Sequence, residues 1–84
     1  MIKHEVIVKF IYETVIKKLG LEKSYFQSHS DEQTFEDLDC DMLTLFEIIE
    51  AVEKKFKVMI DDAQITEQST IVDFIKLAID TINK

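Results

Sequence analysis

The chain has 84 residues, which is enough for one small domain over residues 1–84 and too short for two. Hydrophobic residues make up 46% and charged residues 32%, which excludes a disordered chain, and one Gly with no Pro favours helices over sheets. The net charge of −7 argues against nucleic acid as a partner, and a single cysteine excludes an internal disulfide framework, so we expect a cytoplasmic protein.

A first helix is predicted from Lys3 to Leu19, because an apolar residue recurs at every fourth position and Gly20 is a typical helix end. This ladder consists of Ile7, Ile11, Val15 and Leu19. Three more apolar residues lie off the ladder: Val6, Phe10 and Ile16. They indicate either a broad core face or a further contact. Charged residues interrupt the apolar runs, so the segment is neither a signal peptide nor a membrane span.

A long structured loop is predicted from Leu21 to Cys40, because this segment has no sustained period and is rich in polar residues. A loop of this length inside a compact domain needs anchors. We expect the anchors to be Tyr25, Phe26, Phe35 and Leu38.

A second helix is predicted from Met42 to Phe56, with Asp41 as its N-cap. Its apolar stripe comprises Leu45, Ile48, Ile49, Val52 and Phe56. At about 100° per residue, Leu43 falls on the opposite face together with Glu47 and Glu50. Met42 and Phe46 lie at the edge of the stripe. An exposed leucine beside two carboxylates indicates a contact surface.

The rest of the chain contains one short element and one long helix. Asp61 to Thr66 is predicted to form one or two helical turns or a loop, and Thr70 and Asp73 have the spacing of a capping box. The last helix carries the stripe Ile71, Ile75, Ala78, Ile79 and Ile82. The elements together predict an all-α fold, a small antiparallel four-helix bundle with three main helices, one short helix and a long first loop.

The negative charge is concentrated in residues 36–53, which hold seven carboxylates and no lysine. The other 66 residues hold ten acidic residues and ten lysines, so this stretch accounts for the whole net charge. Such a field attracts basic surfaces and repels phosphate backbones and anionic lipid. We therefore expect basic protein surfaces as partners.

No metal site is predicted in the acidic stretch. Asp37, Asp39 and Asp41 alternate like the first ligands of a calcium-binding loop. The sixth position of that loop needs Gly and is Met42, and the twelfth needs Glu and is Ile48.

No catalytic residue is predicted either. Cys40 is expected to be a buried or idle thiol, because its acidic neighbours oppose ionisation. His4 and His29 have no nucleophile that can be assigned to them, so we do not expect an enzyme.

Several motifs resemble those of the acyl carrier protein family, and together they span nearly the whole chain. The first helix ends in Leu19-Gly20-Leu21, and the loop approaches the second helix through Phe35-Glu36-Asp37-Leu38. The second helix opens with Asp41-Met42-Leu43, carries Glu47 and closes with Val52-Glu53-Lys54-Lys55-Phe56. The resemblance implies a four-helix bundle whose second helix is recognised by basic patches on synthases, reductases and transferases.

The resemblance also implies positions for partners and acyl chains. The predicted docking residues are Asp41, Met42, Leu43, Phe46, Glu47, Glu50 and Glu53. The family holds acyl chains in a hollow between its helices, lined here by residues such as Leu45, Ile49, Phe56 and Ile75.

The chain departs from the family pattern at three places. The attachment serine, which carries 4'-phosphopantetheine in the family, is Met42 here, and a thioether has no hydroxyl to be modified. Cys40 and Thr44 lie two residues away on either side, about 200° around a helix, so neither replaces the serine. The family's glycine before this site is Asp39, and its later acidic pair is Lys54-Lys55.

Three hypotheses follow. The first is a non-enzymatic carrier-like protein that docks through its second helix in a lipid, polyketide or peptide assembly pathway, without a prosthetic group unless a serine were restored at position 42. The second is a true acyl or aminoacyl carrier whose serine has been replaced by Met42. The third is a structural or oligomerising bundle. We favour the first because Asp39, Lys54 and Lys55 depart from the family together with Met42, and we expect a monomer, with a homodimer as the alternative.

Overall fold

The computed structural model describes residues 1–30 and 32–84, so position 31 of the predicted loop lies outside the described residues. The elements in chain order are α1 His4–Leu19, α2 Tyr25–Ser28, α3 Met42–Phe56, a 3-10 turn at Asp62–Gln64, and α4 Ile71–Ile82. The predicted all-α fold is confirmed. The three long helices begin within one residue of their predicted starts.

The helix ends follow from their local sequences. α1 ends at Gly20, which adopts φ 68° and donates its N–H to the carbonyl of Ile16. At the start of α4, the Thr70 hydroxyl accepts from the Asp73 N–H, and the Asp73 carboxylate accepts from the Thr70 N–H. The predicted capping box is therefore present, and both ends satisfy backbone groups that a helix leaves without partners.

α1 packs against both α3 and α4. The Phe10 ring of α1 lies edge-on to the Phe56 ring at the end of α3, with 5.5 Å between centroids. Asn83, which follows α4, makes two hydrogen bonds to the backbone of Ile2, which precedes α1. The Asn83 Oδ1 accepts from the Ile2 N–H at 3.0 Å, and the Asn83 Nδ2 donates to the Ile2 carbonyl at 2.9 Å. The middle of α1 therefore meets the end of α3, and the segment before α1 meets the residue that follows α4.

The predicted loop contains a helix that the sequence patterns did not predict. α2 is a single turn, held by a Tyr25 ring that stacks on His29 and lies edge-on to Phe26, which in turn packs on Tyr12 of α1. The expected anchors are confirmed, since Phe35 and Leu38 are buried and the two α2 aromatics are half-buried against the core.

The prediction for the last helix missed Phe74, which is fully buried and lies edge-on to Phe35, with 6.3 Å between centroids. Ile71, Ile75 and Ala78 are buried as expected, but Ile79 and Ile82 are only half-buried. From Ile71 the predicted stripe continued to the fourth residue, Ile75, and left out the third, which α4 also buries.

Two distant segments are joined side by side, residues 34–36 of the loop and residues 67–70 before α4; we call this pairing the strap. Thr34 and Thr70 form an isolated antiparallel bridge. Phe35 donates its N–H to Ser69 O at 3.0 Å, and Glu36 donates to the carbonyl of Glu67 at 2.9 Å. The strap places Phe35 inside the core and brings the loop to the start of α3.

Candidate docking surface

α3 begins with a side-chain cap. Asp41 has an extended backbone, and its Oδ1 accepts from the Thr44 N–H at 2.8 Å. This bond lowers the pKa of Asp41, because it stabilises the carboxylate form. The predicted N-cap is confirmed, and Met42 is the first residue of the helix.

The first turns of α3 expose three large apolar side chains, which we call the apolar patch: Met42, Leu43 and Phe46. Their exposed fractions are 36%, 71% and 45%. On the other face of the helix, Leu45 and Ile48 are fully buried and hold α3 on the core. The patch therefore lies on a rigid element, with its side chains open to a partner.

The predicted docking carboxylates of α3 differ in what they do. Glu47 is exposed, and its carboxylate makes no hydrogen bond or ion pair with any residue that the structure describes. Glu50 pairs with Lys54, whose Nζ lies 2.9 Å from its Oε1, and this lysine lowers the pKa of Glu50. The half-buried Glu53 instead accepts from the Ile60 N–H at 2.9 Å, so its carboxylate closes the turn after α3.

The charge reverses towards the end of α3. Lys54, Lys55 and Lys57 are all exposed. The Lys55 ammonium lies 5.8 Å from the centroid of the Phe10 ring, over the junction with α1. Lys57 ends the helix in a left-handed conformation with φ 55°. After Glu53, the exposed charges of α3 and its C-cap are therefore all basic.

The groups beside Met42 offer no exposed nucleophile. Cys40 is buried, and burial raises the pKa of its thiol to about 11, with smaller contributions from Asp41 and Glu67. The expected burial of the thiol is confirmed, and its raised pKa favours the neutral form. Thr44 is half-buried, and its N–H is held by the cap.

The alternating aspartates have local structural roles. Asp37 accepts from the Thr34 N–H at 3.1 Å and donates its own N–H to the Thr34 hydroxyl at 3.0 Å. Asp41 caps α3, and Asp39 adopts φ 58°. Within residues 1–30 and 32–84, no group of three or more His, Cys, Asp or Glu side chains is arranged to hold a metal ion.

The same residues include no helix long and apolar enough to cross a membrane.

The residues expected to line an acyl hollow lie mainly in the core. Leu45, Ile49 and Ile75 are buried, and Phe56 is half-buried. Of the apolar residues that lay off the ladder of α1, Phe10 packs on Phe56, Ile16 is half-buried and Val6 is exposed.

The chain has clear relatives. It matches the protein family described as "Phosphopantetheine attachment site" over residues 9–78. It is 31% identical over 77 residues to an acyl carrier protein of Cyanophora paradoxa, covering 92% of this chain and 73% of that protein. An acyl carrier protein of Lactococcus lactis subsp. cremoris is 33% identical over 79% of this chain and 84% of its own length. One of Cyanidium caldarium is 30% identical over 99% of this chain and 94% of its own. No solved structure gave a significant match.

Proposed function

Since this chain belongs to the acyl carrier protein family, whose members are carriers and not enzymes, we propose that it is a carrier-like docking protein without a phosphopantetheine arm. α3 is the docking surface and meets basic patches of enzymes in a lipid, polyketide or peptide assembly pathway. The predicted docking residues are Asp41, Met42, Leu43, Phe46, Glu47, Glu50 and Glu53. Their combination of exposed apolar groups and carboxylates on one rigid helix supports this assignment.

Met42 is the observation that carries the proposal. It is the first residue of α3 and is partly exposed, at the position that the family modifies, yet its thioether has no hydroxyl. Cys40 is buried with a raised pKa, and Thr44 is half-buried behind the cap. The residues at this position therefore do not fit a phosphopantetheine group, and no step of carrier chemistry is assigned to them.

The test is the intact mass after incubation with coenzyme A and a broad phosphopantetheinyl transferase. We expect no mass increase for the native chain and an increase of one phosphopantetheine for Met42→Ser. Leu43→Ser is the matched control, because it places a serine at the neighbouring exposed position and should stay unmodified.

A mass increase on the native chain would contradict the arm-less assignment and favour a true carrier modified at another residue. If Met42→Ser also stayed unmodified, the transferase would not recognise α3, and the docking part of the proposal would fail.

A further inference from the structure

The start of α3 combines a surface suited to docking with an attachment position that cannot react. Met42 stands where the family pattern has its serine, and its thioether has no hydroxyl to attack the pyrophosphate of coenzyme A. Cys40 and Thr44 do not supply that hydroxyl, because Cys40 is a buried thiol and Thr44 is half-buried two residues away from the attachment position. An enzyme that docks here to attach an arm therefore finds no group to modify.

Met42 leaves the surface around it open. Its exposed fraction is 36%, so most of the residue is covered by its own chain, whereas the exposed fraction of Leu43 is 71%. Methionine is also unbranched and flexible, so its side chain can adapt to the surface of a partner. The exchange of serine for methionine therefore removes the reactive group but keeps the rest of the apolar patch, with the exposed Glu47 beside it, within reach of a partner.

The phosphopantetheine arm decides at which step this chain competes on equal terms with a true carrier. A carrier that awaits its arm brings only its protein surface to the transferase, and this chain brings a surface of the same kind. A loaded carrier also brings the arm and its acyl group into the active site of the next enzyme, which adds apolar contacts that this chain lacks. Competition is therefore strongest at the step that attaches the arm.

We propose that this chain is a competitive inhibitor of arm attachment. It occupies the carrier-docking surface of a phosphopantetheinyl transferase and dissociates unchanged, so a true carrier must wait for that surface to become free. The apolar patch and Glu47 provide the contact, and Met42 prevents the reaction. This inference rests on the proposed docking role of α3 and adds to it the effect that docking has on true carriers.

The test is a steady-state assay of a broad phosphopantetheinyl transferase with coenzyme A and a carrier of this family that has the attachment serine. Intact mass counts the modified carrier. We expect the native chain to raise the apparent KM for the carrier and to leave kcat unchanged, with an inhibition constant within about threefold of the KM of Met42→Ser. An unchanged KM, or a fall in kcat alone, would overturn competition for the docking surface.

Glu47→Lys should weaken the inhibition about tenfold, because it reverses the charge of an exposed carboxylate next to the apolar patch. Asp80→Lys is the matched control, since it makes the same charge change at an exposed position of α4. It should alter the inhibition constant by less than about threefold, because distant surface charges are screened at physiological salt. Circular dichroism should show that both variants are folded. Equal weakening by the two variants would overturn inhibition through α3.

A second assay tests which step is inhibited. It uses an enzyme that transfers an acyl group to or from the thiol of the arm, with an arm-bearing carrier as its substrate. The inhibition constant of the native chain should be at least about tenfold higher in this assay, because the arm gives the substrate additional contacts. Equal inhibition of the two enzymes would overturn the assignment to arm attachment.

Met42→Ser separates this inference from the proposed docking role. If the transferase modifies Met42→Ser but is not inhibited by the native chain, docking through α3 stands and the inhibition is overturned. If Met42→Ser stays unmodified and the native chain does not inhibit, the docking role and the inhibition both fail.

Discussion

Asp39 holds a backbone conformation that favours glycine. Its φ of 58° lies in the left-handed region, where a side chain crowds the backbone, although aspartate tolerates this better than most residues. The family resemblance implies a glycine two or three residues before the attachment position, and this chain has Asp39 there. This turn leads directly to the cap of α3.

Asp39→Gly should therefore stabilise the protein by roughly 0.5 to 1 kcal/mol, because the relief of strain exceeds the added flexibility of the unfolded chain. The measurement is urea denaturation. Asp39→Ala is the control: it removes the same negative charge but keeps a Cβ, so it should not stabilise. Equal gains from both variants would assign the effect to charge and not to the backbone.

At the scale of single residues, the sequence predicted the local features well. The Asp41 cap, the exposed Leu43 and the buried Cys40 depend on neighbours within a few positions, which a pattern can reveal. Glu53 was predicted only as a docking residue, because its bond to the Ile60 N–H depends on how the chain turns after the helix.

At the scale of the element, the hydrogen bond from the Ile60 N–H to the Glu53 carboxylate holds the chain in place where it leaves α3. Glu53→Ala should destabilise the protein by about 1 to 2 kcal/mol, since it leaves a part-buried N–H without its acceptor. Thermal or urea unfolding provides the measurement, and Glu47→Ala provides the control, with a change of less than about 0.5 kcal/mol expected at that exposed position. Similar losses in both variants would contradict a structural role specific to Glu53.

The elements also show where periodicity is informative. α1, α3 and α4 are long enough to repeat their apolar stripes, and the sequence placed their starts within a residue. α2 is four residues long, too short for a period to emerge. Phe26 of α2 packs on Tyr12 of α1, which is distant in sequence. A local pattern therefore could not predict α2.

At the scale of the whole molecule, the core is completed by a loop residue. Phe35 is fully buried against Phe74, whereas Phe46 on α3 is 45% exposed. Phe35→Ala should cost about 3 to 5 kcal/mol, a large share of the stability of a small domain, because it opens a cavity in the core. Phe46→Ala is the matched control and should change the free energy of unfolding by no more than about 0.5 kcal/mol. Equal losses in denaturant titrations would contradict this picture of the core.

The strap has a consequence for the motions of the chain. The two backbone hydrogen bonds described for it join residues more than thirty positions apart, in segments that the helices do not include. An irregular segment usually exchanges its amide hydrogens quickly, through small local openings. Because Phe35 is fully buried, we expect the amides of Phe35 and Glu36 to be released when it leaves the core, so hydrogen exchange should find them as slow as those of α1. We therefore expect the loop that leads to α3 to open together with the helices and not as a separate flap.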